Sequence, residues 1–215
     1  MYPAIKTQIK QLQEQLACKY PQTLIRWNEY VPIPTGISPL DHELLQGGFP
    51  SGHLIEIVGS KSSGKTTLLF KILSGLNKKE NSIAYFDFPY TFYPPSAQWS
   101  GIDLKKLLVL RPKNIQFGLR AAEILFRSGG ICVAVFDLVG TNDQISKALL
   151  LRLKRSVKQA SGIGIFLREP DSTRVQRNQI ALCLKVEKLN QKLSVKTEKS
   201  LFGKENQNVE LVLND

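Results

Sequence analysis

Gly59-Ser60-Lys61-Ser62-Ser63-Gly64-Lys65-Thr66 is the stretch on which the reading of this chain turns. It fits the pattern G-x-x-x-x-G-K-[ST], and its setting gives the match weight. Before it lies an apolar run, His53 to Val58, with strand character. After it, Thr66 to Leu76 carries Leu68, Leu69, Ile72, Leu73 and Leu76 at helical spacing. In a strand, glycine loop and helix taken in that order, backbone N–H groups can curl round phosphate oxygens at a helix N-terminus. Unpaired donors and the helix dipole both favour negative charge there. Gly59, Ser60, Lys61, Ser62, Ser63, Gly64, Lys65, Thr66 and Thr67 are therefore the candidate nucleotide cradle. Lys65 is expected to reach the β- and γ-phosphates, which makes it a candidate catalytic residue as well, and Thr66 to ligate Mg²⁺. ATP and Mg²⁺ are the implied cofactors.

Working outward, the same alternation recurs. Ser82 to Phe88 reads as a strand, Pro89 to Trp99 as an aromatic and proline-rich connection, Leu107 to Leu110 as a strand and Gln116 to Phe126 as a helix. Ile131 to Asp137 is apolar throughout until its last residue, as in a strand buried on both faces of a parallel sheet. A long helix is expected over Gln144 to Ala160 and a strand over Ile163 to Leu167. Further strands are expected at Gln179 to Leu189, Leu193 to Thr197 and Val209 to Leu213. This order predicts an α/β fold, a central and mostly parallel sheet flanked by helices, with antiparallel strands at the C-terminal edge. Asp137 should emerge at the carboxyl end of its strand, where open α/β sheets bind ligands, and is the candidate to hold Mg²⁺ through water. Asp87 ends a similar strand and is either a second functional carboxylate or a structural one.

Upstream, Val31 to Gly36 cannot be helical because of Pro32 and Pro34, and the main domain is placed from there, over residues 31–215. Ser38 to Leu45 reads as a short helix closed by Gly47-Gly48. Residues 1–30 form a separate amphipathic helix and linker, since Ile5, Ile9, Leu12 and Leu16 share one helical face. That helix either docks on its own domain or serves association with a partner.

The chain has 215 residues and a net charge of +11, which favours polyanionic partners over acidic ones. Residues 141–199 hold 13 basic and 5 acidic side chains, most of the surplus. Arg152, Lys154, Arg155 and Lys158 fall on the expected long helix, with Arg174 and Arg177 beyond it; they are either a solvated face or a surface that tracks DNA phosphates. The three cysteines, Cys18, Cys132 and Cys183, are unsuited to a disulfide framework or a zinc site, so a reducing, cytoplasmic setting is expected. No run is apolar and long enough to cross a bilayer, so no membrane partner is expected.

Three blocks together resemble the opening of the RecA recombinase core: Pro34-Thr-Gly-Ile-Ser-Pro-Leu-Asp41, Gly47-Gly-Phe-Pro-Ser-Gly52, and Leu54 through Thr67. Weaker likeness continues through Ala84-Tyr-Phe-Asp87, Trp99-Ser-Gly-Ile-Asp103 and Arg127-Ser-Gly129. The resemblance implies a RecA-like P-loop NTPase fold. It also implies action in DNA repair and recombination, with nucleotide, single-stranded DNA or DNA-bound repair proteins as partners, and homo-oligomers or mixed RecA-type assemblies.

The departures from the family are equally informative. Where the family has a Glu that activates water, two residues beyond the strand-ending Asp, this chain has Pro89, which cannot take a proton. The loss of a general base costs about 10²–10⁴-fold in rate. The residue stacking adenine aligns near Ser96, with Tyr93 or Phe92 as substitutes. Glu169 stands where the family has a nucleotide-sensing Gln, and either senses the γ-phosphate or caps a turn. The connections after Asp137 and after Leu167 are short for the family's DNA-binding loops. Trimmed loops resemble the ImuA-type accessory proteins of damage-induced mutagenesis, part of the SOS response. These features favour ATP–Mg²⁺ binding with weak or absent hydrolysis, nucleotide state controlling assembly. The alternatives are a DNA-dependent ATPase using Asp87 or Glu169, and a scaffold with a vestigial P-loop.

Overall fold

The structure, a computed structural model, describes residues 31–77, 82–203 and 205–212. The helix expected from Ile5 to Leu16 lies outside the described residues.

The apolar runs form one eight-stranded sheet. Its strands are β3 (His53–Val58), β4 (Ile83–Asp87), β5 (Leu107–Leu110), β6 (Val133–Asp137), β7 (Ile163–Arg168), β8 (Leu182–Leu189), β9 (Lys192–Ser200) and β10 (Asn208–Val212). They lie in the order β10-β9-β8-β3-β7-β6-β4-β5. From β8 to β5 all neighbours pair in parallel, while β9 and β10 are antiparallel. The expected mostly parallel sheet with an antiparallel C-terminal edge is what the chain adopts. A short ribbon, β1 (Pro32–Ile33) against β2 (Phe49–Pro50), precedes it.

Because strand residues alternate sides, each central strand feeds two cores. Ile55, Ile57, Tyr85, Val135 and Ile165 pack with Leu68, Leu69, Ile72, Leu73 and Leu76 of helix α1 (Lys65–Asn77). On the other face, Phe86, Phe136 and Phe166 pack with helices α3 (Ile115–Arg127) and α4 (Lys147–Gln159). The three phenylalanines are in register across β4, β6 and β7, so their rings stack with centroids 4.9 and 4.8 Å apart. Offset stacking of this kind adds about 0.5–1.5 kcal/mol per pair beyond area burial.

Several elements differ from expectation. The aromatic and proline-rich stretch contains a short helix, α2 (Pro94–Trp99), with prolines at its first two positions, where a missing N–H costs no hydrogen bond. Helix α4 starts at Lys147 rather than Gln144, after an extended Ser146 and a Gln144 whose carbonyl accepts from Gln116 Nε2 at 2.7 Å; further upstream the Thr173 N–H donates to the Thr141 carbonyl at 2.7 Å, and the two hydroxyls lie 2.9 Å apart. Ser38 to Leu45 is helical as expected, over 38–44, but widens along Leu40–Leu44, where the Leu45 N–H closes on the Leu40 carbonyl. Gln179 belongs to a 3₁₀ turn, Arg177–Gln179, so the strand expected from it begins at Leu182.

Asp41 explains the Pro-Thr-Gly segment before that turn. Its carboxylate accepts from the Thr35 N–H and hydroxyl at 3.0 and 2.8 Å and from the Gly36 N–H at 3.2 Å. The pinned segment runs so close to α1 that a Cβ at Gly75 would lie 2.1 Å from the Thr35 carbonyl oxygen.

Candidate functional site

The loop from Gly59 to Gly64 joins β3 to α1 at the carboxyl edge of the parallel sheet. Ser62 and Gly64 adopt left-handed backbone, with φ of 61° and 83°. A Cβ at Gly59 would meet Ser63 Oγ at 2.2 Å and the Val186 carbonyl at 2.8 Å, so the loop closes only because that position is glycine. Ser60, Lys61, Ser62, Thr66 and Thr67 are exposed round the loop, while Ser63 and Lys65 are buried. The Ser63 hydroxyl is buried without a hydrogen-bond partner. A curled backbone, an orphaned hydroxyl and a lysine at the helix start fit a phosphate group.

Lys65 Nζ donates to the Ser60 carbonyl at 3.0 Å and lies 3.7 Å from Glu169 Oε1. The carboxylate comes from the turn after β7, which pairs directly with β3. Backbone contacts set this turn: Ser172 Oγ donates to the Glu169 carbonyl at 2.9 Å and accepts the Glu169 N–H at 3.0 Å. Arg168 donates to the carbonyls of Glu169 and Pro170 at 2.9 and 3.2 Å, and its Nε is ion-paired with Glu56 of β3. Glu56 also accepts from the Cys183 thiol, which burial pushes far above its usual range. The main chain of Glu169 thus closes a turn, as one of its two expected roles requires, while its side chain faces the lysine.

Asp137 ends β6, two strands from β3, as expected. Oδ2 accepts from the Tyr85 hydroxyl at 2.7 Å and Oδ1 from the Val139 N–H at 3.2 Å. Burial raises its carboxyl above the usual range, against the pull of those two donors and of Lys65. Tyr85, one strand over, holds this carboxylate in place, and burial beside it raises the phenol well above its ordinary value. Among the described residues no group of three or more His, Cys, Asp or Glu forms a ready metal cage. The Thr66 hydroxyl and the Asp137 carboxylate are oxygen donors of the kind that Mg²⁺ takes alongside phosphate and water.

Asp87 lies beside Asp137 in register, but its carboxylate is spent otherwise. It accepts from the Thr91 N–H at 3.0 Å, the Phe92 N–H at 3.2 Å and Arg111 Nε at 3.0 Å, with no exposed surface. These are the partners of a turn anchor, and of its two expected roles the contacts match the structural one. Of the two aromatics expected beside adenine, Phe92 is buried against Tyr85 and Phe70. Tyr93 is more than half exposed, just before α2, edge-on to the exposed Trp99.

The basic residues of α4 divide between two directions. Arg152 turns to α3, donating to Glu123 from Nη2 at 3.1 Å. Lys154 reaches Gln179 at 3.3 Å on the other side, and burial together with Lys158 lowers its pKa. Lys199 of β9 donates to the Arg177 and Ile180 carbonyls. Burial, then Arg177 and Lys154, depresses its pKa. Lys154, Lys158, Arg177 and Lys199 thus share one neighbourhood, near His53 at the start of β3, whose pKa burial and the two helix lysines lower. Arg155 and Arg174 are exposed. Lys199 was not visible as part of this group in the sequence, because β9 brings it there.

Residues 4–149 match the family model for the RecA N-terminal domain. The chain is 41% identical to Protein RecA of Bifidobacterium breve over 107 residues, half of this chain and 27% of that protein. It is 31% identical to Protein RecA of Francisella tularensis subsp. novicida over 155 residues, 64% of this chain and 43% of that protein. The chain thus spans less than half the length of these relatives. A crystal structure of the RadB recombinase superposes with a TM-score of 0.66 at 19% identity, covering 84% of this chain and 95% of the other, a likeness of fold. Among the described residues no helix is long and apolar enough to cross a membrane.

Proposed function

The chain belongs to the family of the RecA N-terminal domain, and from that premise we propose an ATP-binding protein of DNA repair or recombination, cytoplasmic, whose nucleotide state controls its assembly. The observation that carries this reading is the Gly59–Thr67 loop, whose Lys65 faces the Glu169 turn and acts electrostatically on the Tyr85-held Asp137. In it, the loop N–H groups and Lys65 bind the phosphates, Thr66 and Asp137 hold Mg²⁺, and Tyr93 packs against the base. Mg²⁺, when bound, neutralises phosphate charge. ATP shared between subunits or partners would add binding energy only in the assembled state, which is how a ligand shifts such an equilibrium.

Hydrolysis is proposed to be weak or absent. Pro89 replaces a water-activating carboxylate, and Asp87 is committed to Thr91, Phe92 and Arg111. The connections after β6 and β7, tied together by Thr141 and Thr173, support an accessory role of the ImuA type in the SOS response rather than strand exchange. The test is ATP turnover by the purified protein with Mg²⁺, with and without single-stranded DNA, beside direct nucleotide affinity. Binding with negligible, DNA-independent turnover is the expected result. DNA-stimulated turnover would favour the second reading, an ATPase that orients water with Glu169.

For DNA itself, the supporting feature is the group Lys154, Lys158, Arg177 and Lys199, with Arg155 and Arg174 exposed nearby and Arg152 already paired with Glu123. Neutralising Lys154, Lys158 and Arg177 together is expected to flatten the dependence of log K on log salt by about 2, at roughly 0.7 per single-strand phosphate contact. An unchanged slope in a salt titration would mean that these side chains are merely solvated.

A further inference from the structure

We infer that Glu169 is a built-in competitor for the terminal phosphate of a nucleotide, so that this site favours a nucleoside diphosphate over the triphosphate. The inference rests on the nucleotide reading above and adds to it which phosphate chain the loop prefers.

The loop N–H groups between Gly59 and Lys65 can close round one phosphate. A further phosphate must extend away from the loop, towards the carboxyl ends of the neighbouring strands β7 and β6. Two carboxylates stand there. Asp137 is suited to a cation that bridges phosphates, held in place by the Tyr85 hydroxyl and the Val139 N–H. Glu169 instead faces Lys65 directly, 3.7 Å from Nζ, and so takes up the charge that a terminal phosphate would otherwise claim. A diphosphate can bind with this pair in place. A triphosphate adds negative charge beside a carboxylate that is three-quarters buried, and either displaces it or binds against its repulsion.

Displacement is opposed by the way the turn is built. Ser172 grips the Glu169 main chain at both N–H and carbonyl, and Arg168 grips its carbonyl and that of Pro170. Arg168 is in turn fixed by Glu56, which is nearly fully buried in the central strand. The side chain of Glu169 therefore leaves from a fixed point, and only its own torsions can move the carboxylate.

The test is calorimetric titration of the full chain with ADP and with the β,γ-imido analogue of ATP, each with Mg²⁺. The wild type is expected to bind ADP about tenfold more tightly. In Glu169→Gln, which keeps size and removes charge, the ratio should fall to near unity, mainly through tighter triphosphate binding; a tenfold change corresponds to about 1.4 kcal/mol. Glu169→Ala should move the ratio in the same direction, and thermal unfolding checks that both variants fold. If both nucleotides bind and the ratio is the same in all three proteins, or if the wild type already prefers the triphosphate, the inference fails while the nucleotide site stands. If no protein binds either nucleotide, the nucleotide reading fails and the inference with it.

Discussion

Lys65→Ala is expected to lower nucleotide affinity by about 2–5 kcal/mol, roughly 30-fold to several thousand-fold, the cost of truncating one partner of a buried charged pair. The lysine is only 5% exposed, and its ammonium is held between the Ser60 carbonyl and Glu169 rather than in water. An incoming phosphate would meet a desolvated, already aimed charge, and such hydrogen bonds are roughly twice as strong as neutral ones. Stability should change less than affinity, because alanine suits the first helical position and the lost ion pair is loose at 3.7 Å, although Glu169 is left partly buried without its partner. Titration calorimetry with ATP, beside thermal unfolding, separates the two effects. Unchanged affinity would remove the phosphate-binding assignment of the loop.

Gly75→Ala should have the largest effect on stability, and with the sign opposite to helix propensity. In an ordinary helix interior the change gains about 1 kcal/mol. Here the new methyl would lie 2.1 Å from the Thr35 carbonyl oxygen, 2.9 Å from its carbon and 3.2 Å from Gly36 Cα. All three are backbone atoms, and the segment carrying them is pinned through Asp41, so no side-chain rotation relieves the clash. Overpacking of this kind costs about 1–3 kcal/mol, and with the obstacle in the main chain the upper end is expected. For a chain of this size that lowers the melting temperature by about 6–12 °C. Urea unfolding at equal or greater stability would show that the Pro-Thr-Gly segment does not approach α1 in solution.

The phosphate loop and Asp137 were legible in the sequence because each is local: a glycine-lysine spacing between two periodic segments, and a carboxylate closing an apolar run. Tyr85, Arg111 and Arg168 were not, because their roles depend on which strands become neighbours. Tyr85 meets Asp137 only through the β4–β6 pairing, and Arg168 meets Glu56 only through β3–β7. The turn contacts of Asp87 were equally out of reach, because its donors Thr91, Phe92 and Arg111 come together only in the fold. Helix α2 was hidden because Pro94-Pro95 reads as a helix breaker, although a first turn tolerates both. The basic run of α4 looked like one surface, whereas helix geometry sends Arg152 to α3 and Lys154 to the Arg177–Gln179 turn.

The strand order also governs how the chain assembles as it is made. β3, which launches the Gly59–Gly64 loop, pairs with β7 and β8 and, among the described residues, with no strand synthesised before them. Its first partner leaves the ribosome roughly 100 residues later, about 5–20 s at ordinary elongation rates. Throughout that interval both edges of an apolar strand stand open, and the ladder that fixes the loop cannot form. Such long-range pairing slows folding and exposes the nascent chain to aggregation. Fragments that stop short of Ile163 should therefore be collected by chaperones or precipitate, and nucleotide binding should arise only once β7 and β8 have been translated.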